Sequence, residues 1–427
     1  VGAKLMAEGE GTQFGASVAF DGENLIVGAP LADSRVGAAY AYRYTANGLQ
    51  PAAALEVPGL SGRTQFGQGV WVGEGWALVK APFANQATGA VFGYFQGEDG
   101  QWEPAGRLSA FDGGPRTIFG AALAPADGAI LVGAPGADGF LGATYAFHEE
   151  DGMITGVTKI LPAEGISGQA QTGGAIAAQG SVAVIGVTGA DYGAGSVMVV
   201  ENGPDGWSTA GVLASAPEGF DPVTGEEVGC SDGEAAGWDC SEVDLVSFLP
   251  VSELAGPGGG RGIRTNDNWG WQDPATGRQY ALVGMTDRAS FVDMSDPLNP
   301  RVVGILPMPE TANGSAWRDI KTYENHAFIV SDGAGAHGMQ VFDLTRLRDV
   351  TGDPVVFEAD AHYTQIASAH NIVINEDTGF AFSVGSSSGG ETCGGGLHII
   401  DVREPKNPTF AGCFSDPQTG RASTGYT

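Results

Sequence analysis

Apolar residues in this chain come in short runs of four to six, and almost every run ends at glycine, proline or an Asx residue. Such runs are too short for helices and are bounded by turn formers, so they read as β-strands. Asn24-Leu25-Ile26-Val27-Gly28 and Ala129-Ile130-Leu131-Val132-Gly133 are examples, each preceded by an Asp-Gly turn at Asp21-Gly22 or Asp127-Gly128. Alternating strands follow, Ala38 to Tyr42 and Ala143 to Phe147, and no long helical period interrupts the pattern. The whole phrase returns: Phe14-Gly15, Phe66-Gly67, Phe119-Gly120 and, in worn form, Thr172-Gly173 open units spaced 52 or 53 residues apart. A period near 50 with several strands per unit predicts an all-β chain of β-propeller blades, each of four antiparallel strands. The recurrent Phe is expected to pack between neighbouring blades. Gly2 to Gly9 reads like the closing strand of a further blade, by comparison with Gly106 to Ala110.

From about Ala214 the vocabulary changes. Pro217 to Gly233 and Ser252 to Gly262 are Gly/Pro-rich connectors. Three further units follow, opening at Asn268-Trp269-Gly270-Trp271, Trp317-Arg318-Asp319-Ile320-Lys321 and His370-Asn371-Ile372-Val373-Ile374. Their later strands end on Asp293, Asp343 and Asp401, 50 and 58 residues apart, where side-chain capping of a turn is expected. The predicted organisation is therefore residues 1–213 as four blades, 214–265 as a Cys-containing connector, and 266–427 as three blades of an unfinished set. Two propeller modules fit this division, and one composite seven-bladed ring is the alternative.

The first set resembles FG-GAP repeats, the blades of the integrin alpha-subunit propeller and of many bacterial surface proteins. The phrase is sharp in the first and third units, is interrupted by Lys80 in the second, and lacks both Phe and Pro in the fourth. Many members of that family carry a D-x-D-x-D-G calcium loop, and none of these four units has one. The second set is similar to the bacterial choice-of-anchor B family, whose blades are like LVIVD repeats. Asn-Asp-Asn-Trp-Gly-Trp from Asn266, Trp-Arg-Asp-Ile-Lys from Trp317, His-Gly-Met-Gln-Val-Phe-Asp-Leu-Thr-Arg-Leu from His337, His-Asn-Ile-Val-Ile-Asn-Glu from His370 and Gly-Leu-His-Ile-Ile-Asp from Gly396 carry the likeness. That resemblance implies a surface protein held by a C-terminal anchor, which is expected to lie outside these 427 residues.

A net charge of −30 repels phosphate backbones and anionic lipid, so nucleic acid is not an expected partner. With 42% hydrophobic residues the chain is not disordered, yet no apolar run reaches the roughly 18 residues of a membrane span. The four cysteines form two close pairs, Cys230 with Cys240 and Cys393 with Cys413, without zinc-finger spacing. Two local disulfides and an extracellular or cell-surface location are expected.

If the first strand of each blade lines an axial channel, Asp267, Trp269, Asp319 and His370 converge on one mouth, where His337 in Gly335-Ala336-His337-Gly338 can join them. Carboxylates with imidazoles suit a divalent cation or polar ligand. The plainer reading, which we favour, has Asp319 and His370 hydrogen-bonding blade-to-blade turns and the tryptophans packing between blades. His398, inside a strand, is expected to be a satisfied core histidine. No cofactor is expected, and a cation such as calcium finds no loop motif. G-x-S-x-G, H-E-x-x-H and Walker motifs are missing. The sequence thus points away from an enzyme and toward a surface binding or adhesion scaffold. Its expected partners are a protein or glycan at the cell surface, met by loops 31–37, 83–89, 136–142, 188–195 and 386–396. A self-assembling structural subunit and a secreted hydrolase or lyase are the alternatives.

Overall fold

The short apolar runs form antiparallel strands in the computed structural model, which describes residues 12–150, 153–166, 168–215 and 219–415. The chain divides into two compact units, Val1–Ser215 and Ala216–Thr427. In the first unit each repeat is one four-stranded meander, with strands joined in chain order. The first sheet comprises Ser17–Phe20, Asn24–Ala29, Ala38–Thr45 and Gly48–Leu55. The second comprises Val70–Gly73, Trp76–Ala81, Ala90–Gln96 and Trp102–Leu108, and the third Leu123–Ala126, Ala129–Ala134, Ala143–Glu150 and Met153–Ile160. Thr172–Gln179, Val182–Val187, Ser196–Gly203 and Gly206–Leu213 make the fourth. Repeated four-stranded meanders of this length are propeller blades. Their outer strands all carry a register shift, at Ala41/Tyr42, Gly93/Tyr94, His148/Glu149 and Val199/Val200. Such bulges twist a sheet edge away from edge-to-edge pairing.

Blade-to-blade bridging explains the Phe-Gly phrase. The Phe66 N–H donates to Val36 O (2.9 Å), Phe119 to Thr88 O (3.0 Å) and Thr172 to Leu141 O (3.1 Å). The bridge uses backbone alone, so the fourth repeat keeps it without a Phe. At Gly37, Gly89 and Gly142 a Cβ would lie 2.1, 2.0 and 2.2 Å from the next blade's backbone, and φ is +91°, +87° and +80°. Only glycine meets both conditions. Phe66 and Phe119 are buried, as expected, Phe66 in a cluster shared with Ile26, Ala39 and Leu55 of the preceding blade. Ahead of each of these bridges the chain makes a tight left-handed turn, with Asp33-Ser34-Arg35, Asn85-Gln86-Ala87 and Asp138-Gly139-Phe140 at positive φ. It is closed by Gly37 N–H to Ala32 O (2.9 Å) and its counterparts at Gly89 and Gly142 (3.0 Å each). Lys80, the interruption in the second repeat, runs over Gly69 and donates from Nζ to Ala121 O of the third blade (2.9 Å). Burial pushes its ammonium pKa down.

Among the described residues the second unit has three blades. Thr265–Gln272, Gln279–Met285, Arg288–Asp293 and Arg301–Pro307 form the first, Trp317–Tyr323, His326–Asp332, Met339–Asp343 and Ala361–Tyr363 the second, and Asn371–Asn375, Phe380–Val384, Leu397–Asp401 and Thr409–Phe414 the third. Phe291 and Phe342 stack at 4.7 Å between the first two. Before its last strand the second blade makes an excursion: Leu344–Asp349 forms a 3₁₀ helix, and Val355–Val356 adds a parallel fifth strand to the first blade. The glycine-rich stretch read as connector packs on the first blade, because Arg288 donates to the carbonyls of Ala255, Pro257 and Gly258 at 2.8–3.0 Å. Residues 386–396, expected as a loop, contain a short strand, Ser387–Gly390, paired with Ile366–Ser368. Cys230–Cys240 and Cys393–Cys413 are disulfides. Among the described residues no helix is long and apolar enough to cross a membrane.

Asp293, Asp343 and Asp401 each accept the backbone N–H two residues on, from Ser295 (3.0 Å), Thr345 (3.1 Å) and Arg403 (3.1 Å). These are Asx turns. Asp293→Ala is expected to lower unfolding stability by about 1 kcal/mol, the usual worth of such a bond, read from the shift in urea midpoint.

Candidate functional site

The opening strands of the second unit place Asp267 and Asp319 at one register in successive blades. Asp267 Oδ2 accepts the N–H of Ile320 (3.1 Å), and Asp319 Oδ2 accepts the N–H of Ile372 (2.6 Å), 53 residues ahead in both cases. Each carboxylate therefore latches the next blade's opening strand. Lys321 lies between them, with Nζ 2.5 Å from Asp319 Oδ1 and 3.7 Å from Asp267 Oδ2. The same ammonium sits 4.3 Å from the Trp269 ring centre, and Trp269 Nε1 donates to Thr322 Oγ1 (3.1 Å). Burial, then the adjoining Asp319 carboxylate, pushes the Asp267 carboxyl pKa up. Asp319 is only 4% exposed, with one oxygen on a backbone N–H and the other on Lys321. The cluster of Asp267, Trp269 and Asp319 is thus filled by a cation of the protein's own.

The two imidazoles go elsewhere. Successive strand residues face opposite sides, so Arg318 and Asp319 diverge, and His337 pairs with Arg318. His337 is fully buried, its Nε2 2.6 Å from Arg318 Nη1 and its Nδ1 3.0 Å from Gly338 O. A guanidinium only donates, so Nε2 accepts and Nδ1 carries the hydrogen. Burial, then the neighbouring guanidinium, pushes the His337 pKa down to about 3. His370 precedes its strand instead of opening it, and its Nδ1 lies 2.8 Å from Asp332 Oδ2. Among the described residues no hydrogen bond or ion pair joins His337 or His370 to Asp267 or Asp319. His398 is buried and satisfied, between Tyr363 Oη (2.7 Å) and Glu391 O (2.8 Å). Glu391, Cys393 and Cys413 form the one group of potential metal ligands found among the described residues. Both sulfurs belong to a disulfide, so it offers no thiolate.

A different site was not anticipated from sequence. A cleft of about 1030 Å³ lies between the second blade and the opening hairpin of the third. Trp71 and Trp76 line it, with Phe147 across from them in the third blade and Glu74, Arg107 and Asp127 among its polar groups. Both indoles are part-buried, and Trp76 is held edge-on to Phe95 at 5.6 Å. The signal in the sequence is a break in the repeat. Opposite the apolar residue of the second strand, the first, third and fourth blades place Ala19, Ala124 and Ala177, where the second places Trp71.

The model of the FG-GAP repeat family matches residues 3–42, a span that includes the opening of the first repeat. The N-terminal stretch thus resembles FG-GAP repeats, in a chain that folds as propeller blades. No curated protein matches the chain. Among solved structures, the chain is similar to a protein from Lactobacillus plantarum, at 11% identity over 81% of this chain and 85% of that one, with a TM-score of 0.33. It is also similar to the periplasmic gluconolactonase of Pseudomonas aeruginosa, at 12% identity over 77% and 81%, with a TM-score of 0.34. Likenesses this distant assign no activity.

Proposed function

We propose that this protein is an extracellular, cell-surface-associated binding scaffold that works by presenting a ligand cleft on rigid blades, without catalysis. The observation that carries the reading is the Trp71/Trp76 cleft, where one blade departs from its repeat to leave two indoles part-exposed beside the exposed charged groups Glu74, Arg107 and Asp127. Large hollows lined by aromatic and a few polar groups are where ligands bind. The extracellular assignment is supported by the pairing of all four cysteines in disulfides and by the acidic surface. The finer family reading follows the same line. We take residues 1–213 as FG-GAP-type blades, 214–265 as the connector, and 266–427 as choice-of-anchor B or LVIVD-type blades, on the sequence motifs that carry those resemblances.

Labelled protein incubated with bacterial envelope fractions is expected to be retained saturably, and the Asp319→Asn/His370→Ala double variant to be retained equally. Absence of retention, with turnover of a polysaccharide panel that this double variant abolishes, would instead establish the hydrolase or lyase alternative. A structural-subunit role has one observation of its own: Val182, Val184, Val197 and Val212 of the fourth blade are each 37–44% exposed, while Ile26 and Leu131, at Val184's register, are fully buried. Val184→Asp should then shrink the particle seen by light scattering; an unchanged monomer mass in both proteins removes that role.

A further inference from the structure

We propose that the cleft between the second and third blades of the first unit is an oligosaccharide-binding groove, with the Trp71 and Trp76 indoles as stacking faces for sugar rings and Glu74, Arg107 and Asp127 as ligands for their hydroxyls. This deepens the scaffold reading above and rests on it for the site, while naming the ligand class.

The floor of the groove is a cross-strand row. Trp71 lies opposite Leu78, Leu78 opposite Gly93, and Gly93 opposite Gly106. Bulk at one end and two glycines at the other make a trough. A Cβ at Gly106 would meet nothing within 4 Å, and one at Gly93 would make only ordinary contacts, the nearest at 3.7 Å to Leu78 Cδ2. The first and third blades fill the Gly93 position with Ala41 and Ala146, both buried. Packing alone therefore does not call for an indole here, since the first and third blades close the same interface with Ala19 and Ala124. An indole recruited as filler would be buried, whereas both of these keep a part-exposed surface on the groove.

The polar groups select the ligand. A carboxylate only accepts hydrogen bonds and a guanidinium only donates them. Glu74 and Asp127 need donors from the ligand, and Arg107 needs acceptors; no ion pair among the described residues joins these three to one another. A hydroxyl does both, and a pyranose adds an apolar C–H face for an aromatic ring to cover. A proline-rich peptide, the other common occupant of aromatic grooves, has few N–H donors for the two carboxylates. Moreover, no tyrosine hydroxyl lines the cleft to meet its carbonyls. With a net charge of −30 on the chain, the groove favours neutral or amino sugars over uronic acids or sulfated glycans. A volume of about 1030 Å³ is at the upper end of small-molecule sites, which suits a run of several sugar rings.

The test uses the full chain with cellohexaose, xylohexaose, mannohexaose and the β-1,4-linked N-acetylglucosamine hexamer, read by calorimetry and tryptophan fluorescence, with a proline decamer as comparator. At least one hexasaccharide is expected to bind and shift the fluorescence. Trp71→Ala and Trp76→Ala should each weaken that binding at least tenfold. Gly93→Val, which places a side chain in the trough without removing an indole, should do the same at unchanged melting temperature. The proposal is overturned if no hexasaccharide binds, if the three variants bind like the parent, or if only the proline decamer binds. Envelope retention separates it from the broader reading. Retention that survives all three variants leaves the scaffold and removes the groove. Oligosaccharide binding lost in the variants, without envelope retention by the parent, keeps the groove and removes the scaffold.

Discussion

Acidification is expected to destabilise the second unit by about 1.4 kcal/mol for each pH unit below about 6, because of one buried imidazole. His337 titrates near 3 in the folded protein, against an ordinary value near 6.5, since burial and the Arg318 guanidinium both oppose its protonation. Its folded-state pKa is depressed, so the unfolded chain takes up a proton that the native state refuses. The stability is fully present above about pH 6.5 and is lost as pH falls toward about 3, which amounts to roughly 3 kcal/mol by pH 4. Arg318 Nη1 also needs the unprotonated Nε2 as acceptor, 2.6 Å away. Urea unfolding at pH 7, 6 and 5 checks this against His337→Gln, which keeps a hydrogen-bond acceptor and does not titrate. The variant should start less stable and lose less per pH unit. His398, also pushed down by burial, remains in both and contributes a common slope. Equal slopes in parent and variant would show that His337 is not the group responsible.

Asp319→Ala is expected to remove about 3 kcal/mol from the second unit. The change leaves the Ile372 N–H of the following blade without its acceptor in a buried place and strips Lys321 of its nearer carboxylate. An orphaned buried donor costs about 1–3 kcal/mol and a lost charge-assisted bond about 1.5–3 kcal/mol, with partial overlap. Asp319→Asn, whose amide oxygen can still accept from Ile372, should lose about half as much. The comparison with Asp293→Ala, an Asx turn within one blade, separates latching from capping. Equal, small losses at Asp293 and Asp319 would mean that the opening-strand carboxylate does not hold successive blades together.

These two residues mark where sequence reading stops. Asp319 and His337 are both chemistry-bearing residues in recurring phrases, and at the sequence level they belong to one proposed mouth. Their separation follows from strand alternation, with Arg318 and Asp319 facing opposite sides and each collecting its own partner. Lys321 was equally legible as a residue, but its place between two carboxylates and over Trp269 depends on the distance between blades. The disulfides were readable because Cys230 and Cys240, and Cys393 and Cys413, are close enough along the chain for local folding to join them. The Asx turns of Asp293, Asp343 and Asp401 were readable for the same reason, since donor and acceptor are two residues apart.

The blades themselves were determined by the sequence, because a blade is made of local events: a short apolar run, a Gly or Asx turn, and a glycine at each point where one backbone must approach the next. Repeats at 14, 66, 119 and 172 state that local program four times over. What only the tertiary structure decided is everything that needs two blades at once. The Lys80 tie to Ala121, the carboxylate latches and the Trp71/Trp76 cleft join residues of different blades. Such contacts depend on which side of each strand faces a neighbour and how closely the sheets approach, and neither quantity is written in any single repeat.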